Sequence, residues 1–117
     1  MNQQAKTTIH PTHIALHQKS RLLEIHFSDG SEFHLPFEYL RVFSPSADVR
    51  VAKKRGELIL GKEQVNISKV EPMGSYAIRI LFDDGHHGGV YSWSTLKDLG
   101  GHYAENWTRF QQQRDAL

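Results

Sequence analysis

Two stretches of the chain, residues 21–30 and 76–85, alternate apolar and polar side chains in nearly the same order. Their matching apolar positions are Leu23, Ile25 and Phe27 in the first stretch and Ile78, Ile80 and Phe82 in the second. Alternation with a period of two is typical of a β-strand that buries one face. Each stretch ends in Asp-Gly, a dipeptide that favours a hairpin turn because glycine readily adopts a positive φ. The pattern therefore predicts two similar β-hairpins.

Each predicted hairpin has a strand before it and a short helix after it. The preceding strands are expected at residues 12–17 and at about residues 65–71. The helices are expected at residues 37–41 and 93–97, where an aromatic residue and a leucine lie three positions apart. The sequence therefore predicts an α+β fold of two β-β-β-α repeats with antiparallel hairpins and pseudo-two-fold symmetry.

The repeat halves cover about residues 11–43 and 65–99. A C-terminal amphipathic helix follows, because three aromatic residues recur at helical spacing: Tyr103, Trp107 and Phe110. We predict a single domain over residues 10–113, a disordered N-terminus over 1–9 and a frayed C-terminus over 114–117.

Composition narrows the function classes only slightly. The chain has 117 residues, with 14 Lys and Arg against 13 Asp and Glu, and it has no cysteine. The lack of cysteine excludes a disulfide framework, a thiolate zinc site and a cysteine nucleophile. No stretch approaches the roughly 18 apolar residues of a membrane-spanning helix, and the first residues lack the apolar core of a secretory signal. We therefore expect a cytoplasmic protein with no membrane partner.

The densest basic run is Lys53-Lys54-Arg55, in the segment 43–56 that links the two halves. Nucleic-acid binding usually relies on a clustered basic face, whereas the net charge of this chain is only +1. A solvated turn is the favoured interpretation of this run. Weak nucleic-acid binding through Lys53, Lys54 and Arg55 is an alternative.

Two histidines, His86 and His87, follow the second Asp-Gly turn and the carboxylates of Asp83 and Asp84. Imidazoles and carboxylates together are suitable ligands for a divalent metal ion. Neighbouring side chains on a strand point to opposite faces, so this segment offers only about two ligands by itself. We interpret it as a solvated hairpin tip, with a metal-binding protein using His86, His87 and nearby carboxylates as an alternative.

Two further histidines, His13 and His17, lie on one face of the first predicted strand. Four residues of strand separate their side chains by roughly 13 Å, which is too far for both to bind one metal ion. We interpret them as exposed strand histidines.

The Ser44-Pro45-Ser46 segment offers two hydroxyl groups but lacks the features of a nucleophile site. No Gly-x-Ser-x-Gly elbow surrounds either serine, and no general base stands near them in the sequence. Ser-Pro more simply begins a turn. We therefore predict no catalytic residues, no cofactor-binding residues and no enzyme activity.

Several motifs, in order along the chain, carry a family resemblance. They are residues 28–30 (SDG), 35–36 (LP), 40–48 (LRVFSPSAD), 70–77 (VEPMGSYA), 82–87 (FDDGHH), 91–93 (YSW), 96 (L) and 99–100 (LG). On these motifs the sequence resembles the gamma-butyrobetaine hydroxylase-like N-terminal domain family, formerly a domain of unknown function. The resemblance covers about residues 11–113.

The resemblance implies a domain that, in the hydroxylases, precedes a 2-oxoglutarate oxygenase domain and binds zinc through three Cys and one His. The three Cys places fall on Ser44, Ser46 and Val49, and the His place falls on His86. Neither a neutral hydroxyl nor valine replaces a thiolate on zinc. We therefore expect no zinc or iron cofactor and no oxygenase domain here, with His86 as a remnant. We also expect Ser44 and His86 to remain close, joined by hydrogen bonds.

The resemblance also implies the function class. Other members are fused to Mrp-type P-loop ATPases, which act as iron–sulphur cluster carriers. By this analogy we expect a non-catalytic accessory or protein-interaction domain, linked to iron–sulphur or iron-enzyme systems through a protein partner. The candidate interaction residues are His86, His87 and Trp93.

Overall fold

The computed structural model describes residues 8–117. Its elements, in chain order, are β1 (Pro11–His17), β2 (Leu22–Phe27), β3 (Glu32–Pro36), α1 (Phe37–Val42), α2 (Ala47–Lys54), β4 (Ile67–Met73), β5 (Ala77–Phe82), β6 (Gly89–Ser92), α3 (Trp93–Gly101) and α4 (Tyr103–Asp115). Within residues 8–117, no helix has the length and apolar character needed to cross a membrane.

The strands form two three-stranded antiparallel sheets, β1-β2-β3 and β4-β5-β6. A helix follows each sheet directly, and α4 ends the chain, so the predicted α+β class with a C-terminal helix is confirmed. Each half therefore has the element order β-β-β-α. The pseudo-two-fold symmetry of the halves stays a prediction.

The alternating apolar residues form the centre of the core, as predicted. All six of the residues that defined the repeat pattern are at most 4% exposed. Both hairpin turns between the second and third strand of each sheet use glycine at a positive φ, 90° at Gly30 and 88° at Gly85. Local turn chemistry and burial of one strand face thus act together in each hairpin.

Each turn also holds the opposite half of the molecule through its aspartate. Asp29 forms an ion pair with Lys97 of α3 at 2.8 Å, and Asp84 forms one with Arg41 of α1 at 2.8 Å. In each case the aspartate of one half pairs with a helix cation of the other half. The two sheets are therefore joined by polar contacts as well as by the apolar core.

The structure differs from the sequence prediction at the linker and at the chain ends. The segment 43–56, predicted as a linker, contains α2 (Ala47–Lys54). The last helix continues to Asp115, past the predicted limit of 113, and Ala116 N–H still donates to the carbonyl of Gln112. Of the predicted disordered N-terminus, residues 1–7 lie outside the described part of the chain.

The close packing of α3 on β3 gives a stability prediction at Gly100. A Cβ atom there would lie 2.5–2.7 Å from three atoms of the Phe33 ring. We expect Gly100→Ala to lower the free energy of unfolding by about 1–3 kcal/mol, because the ring must shift to make room. Gly101→Ala in the same helix meets no atom within 4 Å, so it should be neutral or stabilising by up to about 1 kcal/mol. Urea unfolding measures both, and equal effects at the two positions would contradict the packing described.

Candidate functional site

The side chains of Ser44, Ser46 and His86 converge in the interior of the protein. His86 Nε2 lies 2.9 Å from Ser44 Oγ and 3.2 Å from Ser46 Oγ, and the two hydroxyls are 3.2 Å apart. The imidazole side chain is 7% exposed, and the two serines are 3% and 7% exposed. We call these three residues the Ser–His cluster. The expected proximity of Ser44 and His86 is thus confirmed.

The backbone around the Ser–His cluster explains how it closes so tightly. Ser44 and Ser46 lie in the short connection between α1 and α2, and His86 follows the turn between β5 and β6. Ser46 directly precedes α2, yet its hydroxyl does not cap that helix and instead contacts His86. At Gly89, a Cβ atom would lie 2.9 Å from Ser44 Oγ. Glycine at this position therefore allows β6 to approach the cluster.

A buried ion pair holds the backbone of His86 in place. Asp84 accepts from Arg41 Nε at 2.8 Å and from Lys62 Nζ at 2.7 Å, and its other oxygen accepts from the backbone N–H of His86 at 3.1 Å. Partial burial raises the pKa of Asp84, but the hydrogen bonds from Lys62 and Arg41 outweigh it, so the net pKa lies well below its usual range. Asp84 therefore stays ionised and anchors the turn.

Burial is also the main influence on His86 itself. It lowers the pKa of His86 from its ordinary value, and the nearby Arg41 cation lowers it further. The imidazole is therefore neutral at pH 7, with one nitrogen able to accept a hydrogen bond from a serine hydroxyl.

The cluster resembles a hydroxyl–imidazole–carboxylate triad only in its atom types. The nearest carboxylate, Asp48 Oδ2, is 3.7 Å from His86 Nδ1, and the Asp48 side chain is 72% exposed. That distance is beyond a hydrogen bond, so Asp48 does not orient the imidazole. Both serines are at most 7% exposed. The geometry lacks the features of an acyl-transfer site.

The residues at the family's metal position do not fit a zinc ion. Ser44 and Ser46 present neutral hydroxyls that bond to His86 and to each other. Val49, the third Cys place, is buried at 5% exposure and has no donor atom in its side chain. Structural zinc requires four ligands, mostly thiolate and imidazole, and this position offers one imidazole.

The other two candidate interaction residues, His87 and Trp93, take no part in the hydrogen bonds of the Ser–His cluster. His87 is exposed next to the turn. Trp93 begins α3, packs against the core and donates its indole N–H to the carbonyl of Ser75 at 2.8 Å. Within residues 8–117, His86 and His87 belong to no group of three metal-ligating side chains whose ligand atoms lie close together.

A groove that the sequence did not indicate adjoins the Ser–His cluster. Its volume is about 620 Å³, and it lies between the α1–α2 segment, the connection 56–59 and the C-terminal half of α4. Its apolar lining includes Val42, Phe43, Val49, Leu58, Ile59 and Phe110. Ser44 and Val49 belong both to the family's metal position and to the wall of this groove. Two of the places that the family resemblance assigns to metal ligands therefore help to shape the groove here.

Three basic side chains border the groove. Arg50 and Lys53 extend from α2 and Arg109 from α4, and all three are exposed. None of them forms an ion pair with any residue in the described range 8–117. Glu57 is the one acidic side chain among the lining residues. The groove thus combines an apolar floor with a net positive rim.

The lowered pKa of His86 gives a pH prediction. Above the ordinary histidine value of 6.5, its contribution to stability is complete. As the pH falls below that value, the unfolded chain takes up a proton that buried His86 resists, so the contribution is lost. We expect the free energy of unfolding to fall between about pH 7 and pH 5, and to fall less in His86→Gln. Urea unfolding at both pH values measures this, with exposed His87→Gln as the control. Equal slopes in wild type and His86→Gln would contradict it.

The family is defined by comparison with known proteins. The family model described as gamma-butyrobetaine hydroxylase-like, N-terminal, matches residues 14–97. The chain therefore belongs to this family, in agreement with the motifs in its sequence. No curated protein matches the chain.

Solved structures share the fold. One NMR solution structure is 41% identical with a TM-score of 0.77, covering 99% of this chain and 86% of that one. Another is 34% identical with a TM-score of 0.73, covering 89% and 82%. A crystal structure of a DUF971-family protein of unknown function from Acidithiobacillus ferrooxidans ATCC 23270 is 34% identical with a TM-score of 0.67, covering 77% and 91%.

Proposed function

We propose that this chain is a non-catalytic protein-interaction module whose groove binds an acidic, apolar segment of a partner protein. The observation that carries the proposal is the groove itself, an apolar cavity with unpaired basic residues around it, built next to the family's former metal position. The buried Ser–His cluster then serves as a structural support for one wall of that groove.

The size and lining of the groove suit a few side chains of a partner segment. Its volume of about 620 Å³ falls within the range of roughly 300–1,000 Å³ for binding pockets. Phe43 and Phe110 give it aromatic surface, and Leu58 and Ile59 remain partly exposed beside it. Contact with a partner would remove this apolar surface from water, which favours binding.

The charge around the groove selects the chemistry of the segment. Arg50, Lys53 and Arg109 stand against one acidic side chain, Glu57, which leaves a net side-chain charge of +2 among the lining residues. Acidic residues that flank the apolar anchors of a partner would neutralise this charge and speed association.

The same arrangement favours a protein partner over a nucleic acid. A nucleic-acid surface needs a basic track for successive phosphates, whereas two of the three residues of the basic run, Lys54 and Arg55, do not line the groove. In addition, a phosphate backbone offers no apolar side chains that could pack against the floor of the groove. Retention of a nucleic acid by the basic run would therefore be a result against the groove proposal.

The partner's link to iron–sulphur or iron-enzyme systems is proposed by family analogy alone. Identification of proteins cross-linked to the groove tests this part. A photoreactive amino acid at Leu58, which lines the groove, is compared with the same amino acid at Val51, which is exposed outside it. We expect a protein of iron metabolism to cross-link through Leu58 only. Captured proteins unrelated to iron would overturn the iron link and leave the groove proposal to the peptide test.

A charge-reversal pair tests the groove proposal. Short random peptides are selected on the wild-type protein, and the winner is synthesised and titrated by fluorescence anisotropy. We expect selection for peptides with Asp or Glu next to Leu or Phe. Arg50→Glu with Lys53→Glu should weaken binding by roughly tenfold or more. Lys54→Glu with Arg55→Glu makes the same change in net charge at the same helix end, outside the groove, and should leave binding nearly unchanged.

Two results would overturn the groove proposal. One is selection of peptides without acidic residues, or equal loss of binding in the two double variants. The other is salt-sensitive retention of RNA or DNA that depends on Lys54 and Arg55, which would favour the nucleic-acid alternative.

A further inference from the structure

The outer face of the first sheet carries a dense group of imidazoles and carboxylates. These side chains alternate with the core residues on β1, β2 and β3, and they are His13, His17, Glu24, His26, Glu32 and His34. The strand register places His13 opposite His26, and Glu24 opposite His34. The sequence alone indicated isolated strand histidines here, because it does not show which residues of neighbouring strands are paired.

Two sets of three among these residues bring their ligand atoms together, His13-Glu24-His26 and Glu24-Glu32-His34, and the first set contains two imidazoles. Glu24 Oε2 lies 2.6 Å from His26 Nε2 and 3.9 Å from His13 Nε2. One ligand atom from each of His13, Glu24 and His26 lies within 4.8 Å of the other two. A tetrahedral zinc site with ligand bonds of roughly 2.0–2.1 Å has ligand atoms about 3.3 Å apart. The observed spacings bracket that value, so small side-chain rotations would close the site.

From this geometry we propose that His13, Glu24 and His26 bind a divalent transition-metal ion such as Zn²⁺ on the outer face of the first sheet. Two imidazole nitrogens and one carboxylate oxygen are a donor set that suits Zn²⁺ and its neighbours and disfavours Mg²⁺ and Ca²⁺. Three protein ligands leave a fourth position open for water or for a donor from another molecule.

The surroundings of the three ligands support cation binding. A second carboxylate, Glu32, lies 3.6 Å from His26 Nε2, so two negative charges face the same imidazole. Hydrogen bonds from His17 and then His26 lower the pKa of Glu24 to about 2, and this carboxylate is therefore ionised at neutral pH. His17 Nε2 contacts the other oxygen of Glu24 at 2.8 Å and holds the carboxylate in place. Hydrogen bonds that hold a ligating carboxylate in place are common at metal sites.

The site uses none of the residues at the family's zinc position, and it does not depend on the groove. Ser44 and Ser46 lie in the α1–α2 connection, Val49 in α2 and His86 after the β5–β6 turn. The proposed ligands, by contrast, lie on β1 and β2. Success or failure of the peptide test above therefore has no bearing on the metal test, and the reverse also holds.

Isothermal titration of protein without a histidine tag, with Zn²⁺ alone, tests the proposal. We expect one equivalent to bind wild type. His13→Ala, His26→Ala and Glu24→Gln should each weaken binding by roughly tenfold or more, because each removes a ligand. His87→Ala removes an exposed histidine elsewhere and should leave binding unchanged. His34→Ala removes a histidine of the same sheet face but not of the proposed ligand set, and it should also have little effect.

A second measurement needs no variant. Imidazole nitrogen resonances of wild-type protein are followed by NMR during addition of Zn²⁺, and we expect the largest changes at His13 and His26. Absence of Zn²⁺ binding when the metal is in micromolar excess over the protein would overturn the assignment. So would Zn²⁺ binding that survives His26→Ala, or binding that is lost in His34→Ala but kept in His13→Ala. Changes confined to His86 or His87 would overturn it as well.

Discussion

Tyr39→Ala should lower the free energy of unfolding by about 3–5 kcal/mol, the range for removing a large aromatic side chain from a core. Tyr39 is fully buried in α1. Its ring packs against those of Phe43, Tyr103 and Trp107, with centroids 4.8–5.7 Å apart. Its hydroxyl donates to the carbonyl of Leu99 in α3 at 2.6 Å. The substitution thus removes packing between α1 and α4 and a hydrogen bond to α3 together.

The matched control is Tyr76→Ala, because Tyr76 is 60% exposed and its loss should change stability by no more than about 0.5 kcal/mol. Tyr39→Phe separates the two contributions. It keeps the ring and leaves the Leu99 carbonyl without its donor, so it should cost about 1–3 kcal/mol. Urea unfolding followed by circular dichroism measures all three variants. A Tyr39→Ala protein as stable as Tyr76→Ala would contradict the position of Tyr39 at the junction of the helices.

The second large effect is a gain of metal binding on restoring the family's cysteines. We expect the triple variant Ser44→Cys, Ser46→Cys and Val49→Cys to bind Zn²⁺ tightly with His86 as the fourth ligand. The two serine oxygens already lie 2.9 and 3.2 Å from His86 Nε2, so two of the new sulfurs start near the imidazole. Structural zinc with this type of ligand set provides an apparent binding free energy of about 10–16 kcal/mol at neutral pH, which should raise the unfolding temperature markedly.

Cobalt distinguishes this engineered site from any metal bound on the first sheet. Thiolate ligands give Co²⁺ an intense charge-transfer absorption that imidazole and carboxylate ligands do not. We expect this band in the triple variant, none in wild type, and its loss when His86→Ala is added. A triple variant that folds but shows no thiolate band would mean that the family's ligand places were assigned to the wrong residues.

Much of the fold followed from local patterns. Alternation at Leu23, Ile25 and Phe27 identified a strand because the pleat sends every second side chain into the core. Asp-Gly identified the turns because glycine accepts their backbone conformation. The helix α2 was missed because only Val49 is buried in it, and its two valines, Val49 and Val51, lie two positions apart, which is not a helical spacing.

The candidate sites depended on contacts that a single sequence does not reveal. The approach of His86 to Ser44 was expected from the family resemblance, because the residues lie 42 positions apart and no local pattern connects them. The groove lies between α2 and α4, and no local pattern in the sequence connects these two helices. The pairing of His13 with His26 required the register of β1 on β2.

The chain keeps the fold of its family. It has a buried Ser–His cluster at the places that the resemblance assigns to metal ligands, and it presents a basic-rimmed apolar groove beside that cluster. We propose that this groove receives an acidic, apolar segment of a partner protein.

The most direct measurement is a titration of ¹⁵N-labelled protein with the selected peptide, followed by amide NMR. We expect saturable amide chemical-shift changes that are largest at Lys53, Ile59, Arg109 and Phe110, with little change on the outer face of the first sheet. The same peptide with each Asp or Glu replaced by Lys should produce no saturable shift. Chemical-shift changes centred on Trp93 or His87, or changes that the lysine peptide reproduces, would contradict binding of an acidic, apolar segment in the groove.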